Sequence, residues 1–207
     1  MSKNTPKSKK NLEVSIITLG NGQVGKTSLI VRFTDNAFTF NYLTTSGIDS
    51  TFKSVKISDD ETVRVQITDT AGQERYSSLS YNYIKRAEGI VFVYDITDKK
   101  SFKEVSNWIA NVEEAGNAIR PTILIGNKSD LEEKRKVSTE DGKEFADQKG
   151  MHFYETSCQT GENVENAFMD LVRQIYETKK SKIQNENDEN IKINKKHLKK
   201  NKKKKIC

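Results

Sequence analysis

The chain has 207 residues, 31% of them charged, with a formal net charge of +6; that length suits one domain with extensions and a sizeable core, and would strain to make two. The positive charge belongs to the ends, because residues 13–177 carry 19 basic against 26 acidic side chains while twelve lysines against three acids follow Glu177. An acidic body argues against a nucleic-acid-binding core, two cysteines (Cys158 and Cys207) make no disulfide framework and fit a reducing compartment, and no run of about 18 apolar residues offers a membrane span.

Residues 1–11 are polar and lysine-rich without an apolar centre, so disorder is expected there rather than a secretory signal. The apolar run Glu13–Leu19 predicts the first strand, and Lys26–Thr34 the first helix. Between them lies Gly20-Asn21-Gly22-Gln23-Val24-Gly25-Lys26-Thr27, of the form G-x-x-x-x-G-K-[ST]. Glycines at both ends let the backbone bend tightly and turn its N–H groups inward, making an anion nest at a helix N-terminus. Phosphate is the expected guest, with Lys26 reaching the β and γ phosphates and the Thr27 hydroxyl ligating Mg²⁺.

A long polar connection, Phe38 to Gly47, follows the helix, and its length marks it as functional. Thr45 is the candidate there to close the site through Mg²⁺ and a γ-phosphate; Thr44 is the alternative that spacing leaves open. Ile48–Ile57 and Thr62–Thr68 read as a hairpin about Ser58-Asp59-Asp60-Glu61. Asp69, after the second of these strands, is a candidate metal anchor through water; Gly72 offers an N–H that could swing toward a γ-phosphate, and Gln73 an amide that could orient water. The segment to Arg86 is expected to be an irregular helix.

Ile90–Ile96 is a continuous apolar run typical of a strand covered on both faces. A helix is expected next, capped within Asp98–Ser101 and carrying the stripe Phe102, Val105, Ile109 and Val112. Pro121 precedes the strand Thr122–Gly126, at whose carboxyl end stands Asn127-Lys128-Ser129-Asp130. The Asp130 carboxylate suits the ring N–H and exocyclic amine of guanine; adenine presents an acceptor at N1 and no 2-amino group. Asn127 would brace the loops, and the Lys128 stem would lie over the base. A helix Thr139–Lys149, a strand His152–Thr156 and a last helix to about Lys179 complete the body. Glu155-Thr156-Ser157-Cys158 ends that strand and offers a backbone N–H to guanine O6; Cys158 reads as a small buried residue rather than a redox group. Strands alternating with helices predict an α/β fold: a mostly parallel six-stranded sheet with one antiparallel edge strand, helices on both faces, and ligands beyond the carboxyl ends of the strands.

Together Gly20–Thr27, Thr45, Asp69-Thr70-Ala71-Gly72-Gln73-Glu74, Asn127–Asp130 and Glu155–Cys158 resemble the Ras superfamily of small GTPases, a P-loop NTPase fold, over roughly residues 12–178. The Rab branch is the most similar, on Gly47-Ile48-Asp49, Gln73-Glu74-Arg75-Tyr76, Tyr94-Asp95-Ile96-Thr97 with Ser101-Phe102, and Trp108. The resemblance implies GTP or GDP and Mg²⁺ as cofactors, with Thr27, Thr45 (rather than Thr44) and Asp69 at the metal. It also implies Lys26 and Gln73 in catalysis, Phe38 packed on guanine, and Ser28, Tyr42, Thr70, Ala71, Leu131, Ser157, Cys158 and Gln159 completing the nucleotide contacts. Exchange factors, a GAP and effectors are the implied partners of a monomer in vesicle traffic; a Ras-like signalling switch and a non-cycling GTP-binding scaffold are the alternatives.

Three positions depart from the Rab pattern: Ser46 replaces an apolar residue, Ser50 a Phe and Thr68 a Trp, so that of an aromatic triad read by partners only Tyr83 remains. Ser157-Cys158-Gln159 stands where Ser-Ala-Lys is usual. Residues 179–207 are lysine- and asparagine-rich, so a disordered tail is expected. A prenylated Cys207 with the lysines before it would hold the cytoplasmic face of an intracellular membrane while exchanging with cytosol. The ending is not C-a-a-X, and a solubilising or nuclear-import tail is the alternative.

Overall fold

The central strands are apolar almost end to end because helices cover both their faces: β4 (Gly89–Asp95, GIVFVYD) is buried throughout, and β5 (Thr122–Asn127, TILIGN) is buried after its first residue. The computed structural model describes residues 12–39, 48–70, 78–116 and 120–182. Six strands lie in the order β2-β3-β1-β4-β5-β6, the remaining four being β1 (Leu12–Leu19), β2 (Ile48–Lys56), β3 (Thr62–Thr70) and β6 (His152–Thr156). All neighbours are parallel except β2 against β3, which pair antiparallel from Ile48↔Thr70 to Lys56↔Thr62. The expected sheet, with one antiparallel edge strand, is therefore present.

Alternation along β1 divides the core in two. Val14 and Ile16 point to one face, joining Leu29, Ile30 and Phe33 of α1 (Lys26–Asp35) and Val164, Phe168, Leu171 and Ile175 of the last helix, α6 (164–182). Ile17 and Leu19 point to the other, where α2 (Ser78–Arg86) supplies Ile84, α4 (Val105–Glu114) supplies Val105 and Trp108, and α5 (Thr139–Gln148) supplies Ala146. The chain leaves β1 toward β3 and later crosses from β3 to β4 on the opposite side. Winding reverses at β1, and the crevice beyond its carboxyl end is where such sheets take ligands.

The structure differs from the sequence expectation at three boundaries. The helix after Asp98 is two helices, α3 (Lys99–Lys103) and α4, meeting at Glu104. Asp98 caps α3 by accepting from the N–H groups of Lys100 and Ser101, and the buried Ser101 hydroxyl donates to Asp98 O (2.8 Å) and accepts from Asp95 N–H (3.0 Å), binding this first turn to β4. β3 continues through Asp69 and Thr70 because both still pair with β2. α6 extends through residue 182, past the point at which a disordered tail was expected to begin, because Lys179 reaches Glu88 (2.7 Å) and the Glu13 carbonyl, and Tyr176 donates to Glu61 in the hairpin turn.

Phe33 and Phe168 stack at 4.6 Å between centroids and clamp α1 to α6. Both are fully buried, so Phe168→Ala should lower the unfolding free energy by about 3–5 kcal/mol in urea titration.

Candidate functional site

Residues 20–25 must turn the chain from β1 into α1 in a space too tight for side chains at two points. At Gly20 (φ 152) a Cβ would meet Val93 O at 2.2 Å, and at Gly25 (φ 97) it would meet Asn127 Nδ2 at 2.3 Å. Gly25 is the N-cap of α1 and, having no side chain, does not close the helix N-terminus itself. Lys26 is 5% exposed and its ammonium donates to the carbonyls of Gly20 (2.9 Å) and Asn21 (3.0 Å). The Thr27 hydroxyl donates to Asp69 Oδ2 at 2.6 Å.

Asp69 holds a buried second oxygen, Oδ1, that has no hydrogen-bond partner among the described residues. Burial pushes its carboxyl above the usual range, against the Thr27 hydroxyl and the Lys26 charge, which favour the carboxylate. A buried carboxylate oxygen beside a threonine hydroxyl and an anion-binding loop fits Mg²⁺, which takes one or two protein oxygens and completes its shell with water and substrate phosphate.

At the other end of the crevice, Asn127 is 1% exposed and uses both ends of its carboxamide. Nδ2 donates to Val24 O (2.8 Å), while Oδ1 accepts from the Thr156 hydroxyl (3.1 Å) and the Cys158 thiol (3.4 Å). Lys128 takes a left-handed conformation (φ 70) and its ammonium meets Asp95 Oδ2 at 2.6 Å, which holds its stem across the site. Asp130 stands exposed at the rim, where the Ser157 hydroxyl donates to Oδ1 at 2.6 Å; the Thr160 N–H donates in turn to the Ser157 oxygen. A cavity of about 450 Å³ opens at this end and reaches the phosphate loop, lined by Gln23, Gly25, Ser28, Phe38, Thr39, Asn127, Lys128, Asp130, Leu131, Cys158 and Gln159. Burial pushes the Cys158 thiol up to about 11, so it is a protonated, buried side chain, as the sequence reading has it.

Most of the expected site residues thus converge on the strand ends, from Gly20–Ser28 through Phe38, Asp69 and Thr70 to Asn127–Leu131 and Ser157–Gln159. Tyr42, Thr45, Ala71, Gly72, Gln73 and Cys207 lie outside the described residues, as does Ser46. Ser50 and Thr68 face each other across β2 and β3, with their hydroxyls 3.3 Å apart; nearby Phe52 and Tyr83 are exposed.

Three residues that support the site were not singled out for it from sequence. Trp108 donates from its indole N–H to Asn21 Oδ1 (3.0 Å), binding α4 to the phosphate loop. Arg32 donates to the carbonyls of Cys158 and Gln159. Arg135 pairs with Glu155 (2.5 Å) and Glu132 (2.7 Å), joining the segment after Asp130 to β6. The single tryptophan was the one signal available; the two arginines read as ordinary surface charges.

Residues 15–177 match the family model described as the Ras family. The chain is 42% identical over 175 residues to the GTP-binding protein ypt2 of Schizosaccharomyces pombe, covering 84% of this chain and 86% of that protein. It is 41% identical over 171 residues to the GTP-binding protein YPT1 of Saccharomyces cerevisiae (83% and 82% covered). To the Ras-related protein Rab-8 of Diplobatis ommata it is 43% identical over 172 residues (83% and 81% covered).

Asp69→Asn separates stability from metal binding. A carboxyl whose folded pKa is raised costs stability as pH rises from about 3.8, its unfolded value, through the folded pKa. Freed of ligand and metal, the variant should therefore melt higher than the parent at pH 7 and lose that pH slope. Adding Mg²⁺ with nucleotide should raise the parent's melting temperature more than the variant's in differential scanning fluorimetry.

Proposed function

This chain belongs to the Ras family, on its Rab branch, and we propose how its own residues divide the work of a GTP-binding, GTP-hydrolysing switch in vesicle traffic. The observation that carries the division is a cavity that runs from the phosphate loop at Gln23, Gly25 and Ser28 to Asp130, with Lys26, next to Gly25, and Asp69, held by Thr27, buried outside its lining.

Asp130, aimed by Ser157, accepts from the N1–H and 2-amino groups of guanine. Adenine would leave it facing an acceptor, and each buried polar group left unpaired costs about 1–3 kcal/mol. Backbone N–H groups of Cys158 and Gln159 face O6, the Ser157 N–H being held by the Glu162 carbonyl, while Phe38 and the Lys128 stem enclose the ring, the latter tethered by Asp95. The N–H groups of Gly22–Thr27 wrap the phosphates. Lys26 exchanges two loop carbonyls for phosphate oxygens, so its position is set before the ligand arrives. Thr27 and Asp69, with Thr45, would hold Mg²⁺, which when bound neutralises charge on the phosphates.

Hydrolysis of GTP to GDP and phosphate needs little covalent help, so positioning and electrostatics supply the rate. Gln73 orients the water and the Gly72 N–H meets the γ-phosphate. Gly22 adds no bulk to the phosphate loop, and a Cβ there would meet nothing within 4 Å among the described residues. Arg32 and Arg135 are committed to the base loops. The charge that develops on the phosphoryl group is then met by a partner's arginine, which accelerates slow intrinsic hydrolysis by roughly 10³–10⁵.

As a Rab relative the protein works with exchange factors, GTPase-activating proteins and effectors at intracellular membranes. Among the described residues no helix is long and apolar enough to cross a membrane. We assign residues 12–178 as the GTPase domain of a monomer. The lysines at 195–205 followed by Cys207 make an electrostatic and lipid anchor, each lysine near an anionic surface adding about 1 kcal/mol.

Single-turnover measurement on Gln73→Leu should show GTP bound as before and hydrolysed at least about tenfold more slowly; unchanged turnover would remove Gln73 from the mechanism. Cys207→Ser should move the full chain from the membrane to the soluble fraction of lysed cells.

A further inference from the structure

The loop Ser157-Cys158-Gln159 meets the base with its backbone, and its other side is held by a residue of a distant element. Arg32, near the end of α1, donates from Nε to Cys158 O (2.7 Å) and from Nη2 to Gln159 O (2.9 Å). Its Nη1 donates to Asn36 O (3.0 Å), and Asn36, in the left-handed region at φ 52, closes α1 by returning its N–H to Arg32 O (3.1 Å). All three guanidinium nitrogens are therefore engaged, two of them on successive carbonyls of one loop.

A trans peptide points its N–H opposite to its C=O. Fixing Cys158 O toward Arg32 therefore fixes the Gln159 N–H away from it. Cys158 and Gln159 line the 450 Å³ cavity, whereas Arg32 lines a separate one of about 340 Å³ with Gly161 and Glu165. The loop thus lines the first cavity, and the arginine that holds its carbonyls lines the second.

We propose that Arg32 is a positioning residue for guanine nucleotide: it touches no ligand, but by anchoring the Cys158 carbonyl it aims the Gln159 N–H into the base cavity, and by anchoring the Gln159 carbonyl it holds the Thr160 N–H on the Ser157 hydroxyl that donates to Asp130, and so sets how long the nucleotide stays. α1 begins at Lys26 in the phosphate loop, so the latch also ties the base end of the site to the phosphate end through one rigid helix. A planar fork with fixed donors suits two adjacent carbonyls; a lysine ammonium is a point charge on a flexible stem and holds such a pair less well. The inference rests on the guanine-nucleotide reading of the cavity.

The test uses the full chain, loaded with a fluorescent GDP analogue and Mg²⁺ and chased with excess GDP. Arg32→Met keeps the stem and removes every donor, and release should quicken by about tenfold; Arg32→Lys should fall between it and the parent. Hydrolysis of pre-bound GTP in a single turnover should stay within about twofold of the parent, a split that loosening of the whole domain would not give. Release from Arg32→Met at the parent's rate, or hydrolysis falling as far as release rises, would overturn the latch. Should Arg32→Met not fold, the Arg32→Lys release rate decides alone. A parent that retains no GDP analogue in preference to ADP would instead remove the nucleotide reading beneath it.

Discussion

The carboxamide of Asn127 ties together three segments that the chain keeps far apart: the phosphate loop at Val24, its own strand end on β5, and the end of β6 at Thr156 and Cys158. It is buried, so each unmade bond would cost about 1–3 kcal/mol, and the three loops are held in one mutual arrangement. Gly25 is the other half of this constraint, since a side chain there would occupy the amide nitrogen's place. A residue chosen for backbone freedom and a residue chosen for its amide are thus one requirement, met from opposite sides. Around this joint, Arg32 and Arg135 add charge-assisted ties at the loop's edge.

The charges at the phosphate end are arranged at some cost to the protein without ligand. Lys26 is buried on carbonyls and Asp69 keeps an oxygen with no hydrogen-bond partner among the described residues, where burial disfavours the carboxylate. A ligand of phosphates and a divalent cation relieves both at once, because the anion takes the ammonium and the cation takes the carboxylate. Binding energy therefore flows into groups that are already in place, which is the condition for electrostatic help that needs no rearrangement.

What was legible in the sequence is what depends on local pattern. Strand and helix order, the single antiparallel pairing, the phosphate loop and Asn127–Asp130 all follow from periodicity or from residues close in the chain. The break at Glu104 was not, because a buried Ser101 hydroxyl tying α3 to β4 is a tertiary bond laid over a continuous apolar stripe. The length of α6 was not, because it is set by Glu88 and the Glu61 turn, far away in sequence. The site roles of Arg32 and Trp108 were not legible, because their partners, two carbonyls and one loop asparagine, leave no sequence signature.

Ser50 and Thr68 gain their meaning from position on the sheet. β3 carries Thr68 immediately before Asp69, and β2, which carries Ser50 opposite Thr68, starts at Ile48, directly after the connection that holds Thr45. Thr68 is also bound at its carbonyl by Thr18, and Thr70 returns a hydroxyl to the Thr18 carbonyl, so this stretch of β3 is pinned to β1 just before the phosphate loop. The Ser50–Thr68 pair therefore stands on backbone continuous with both metal-side segments. The two hydroxyls, 3.3 Å apart, hydrogen-bond each other, and Thr68 is buried, so the pair closes on itself where aromatic rings would have offered apolar surface. Each hydroxyl finds its partner inside the sheet, so polar side chains stand at these two positions without leaving an unpaired buried group beside the metal-side segments.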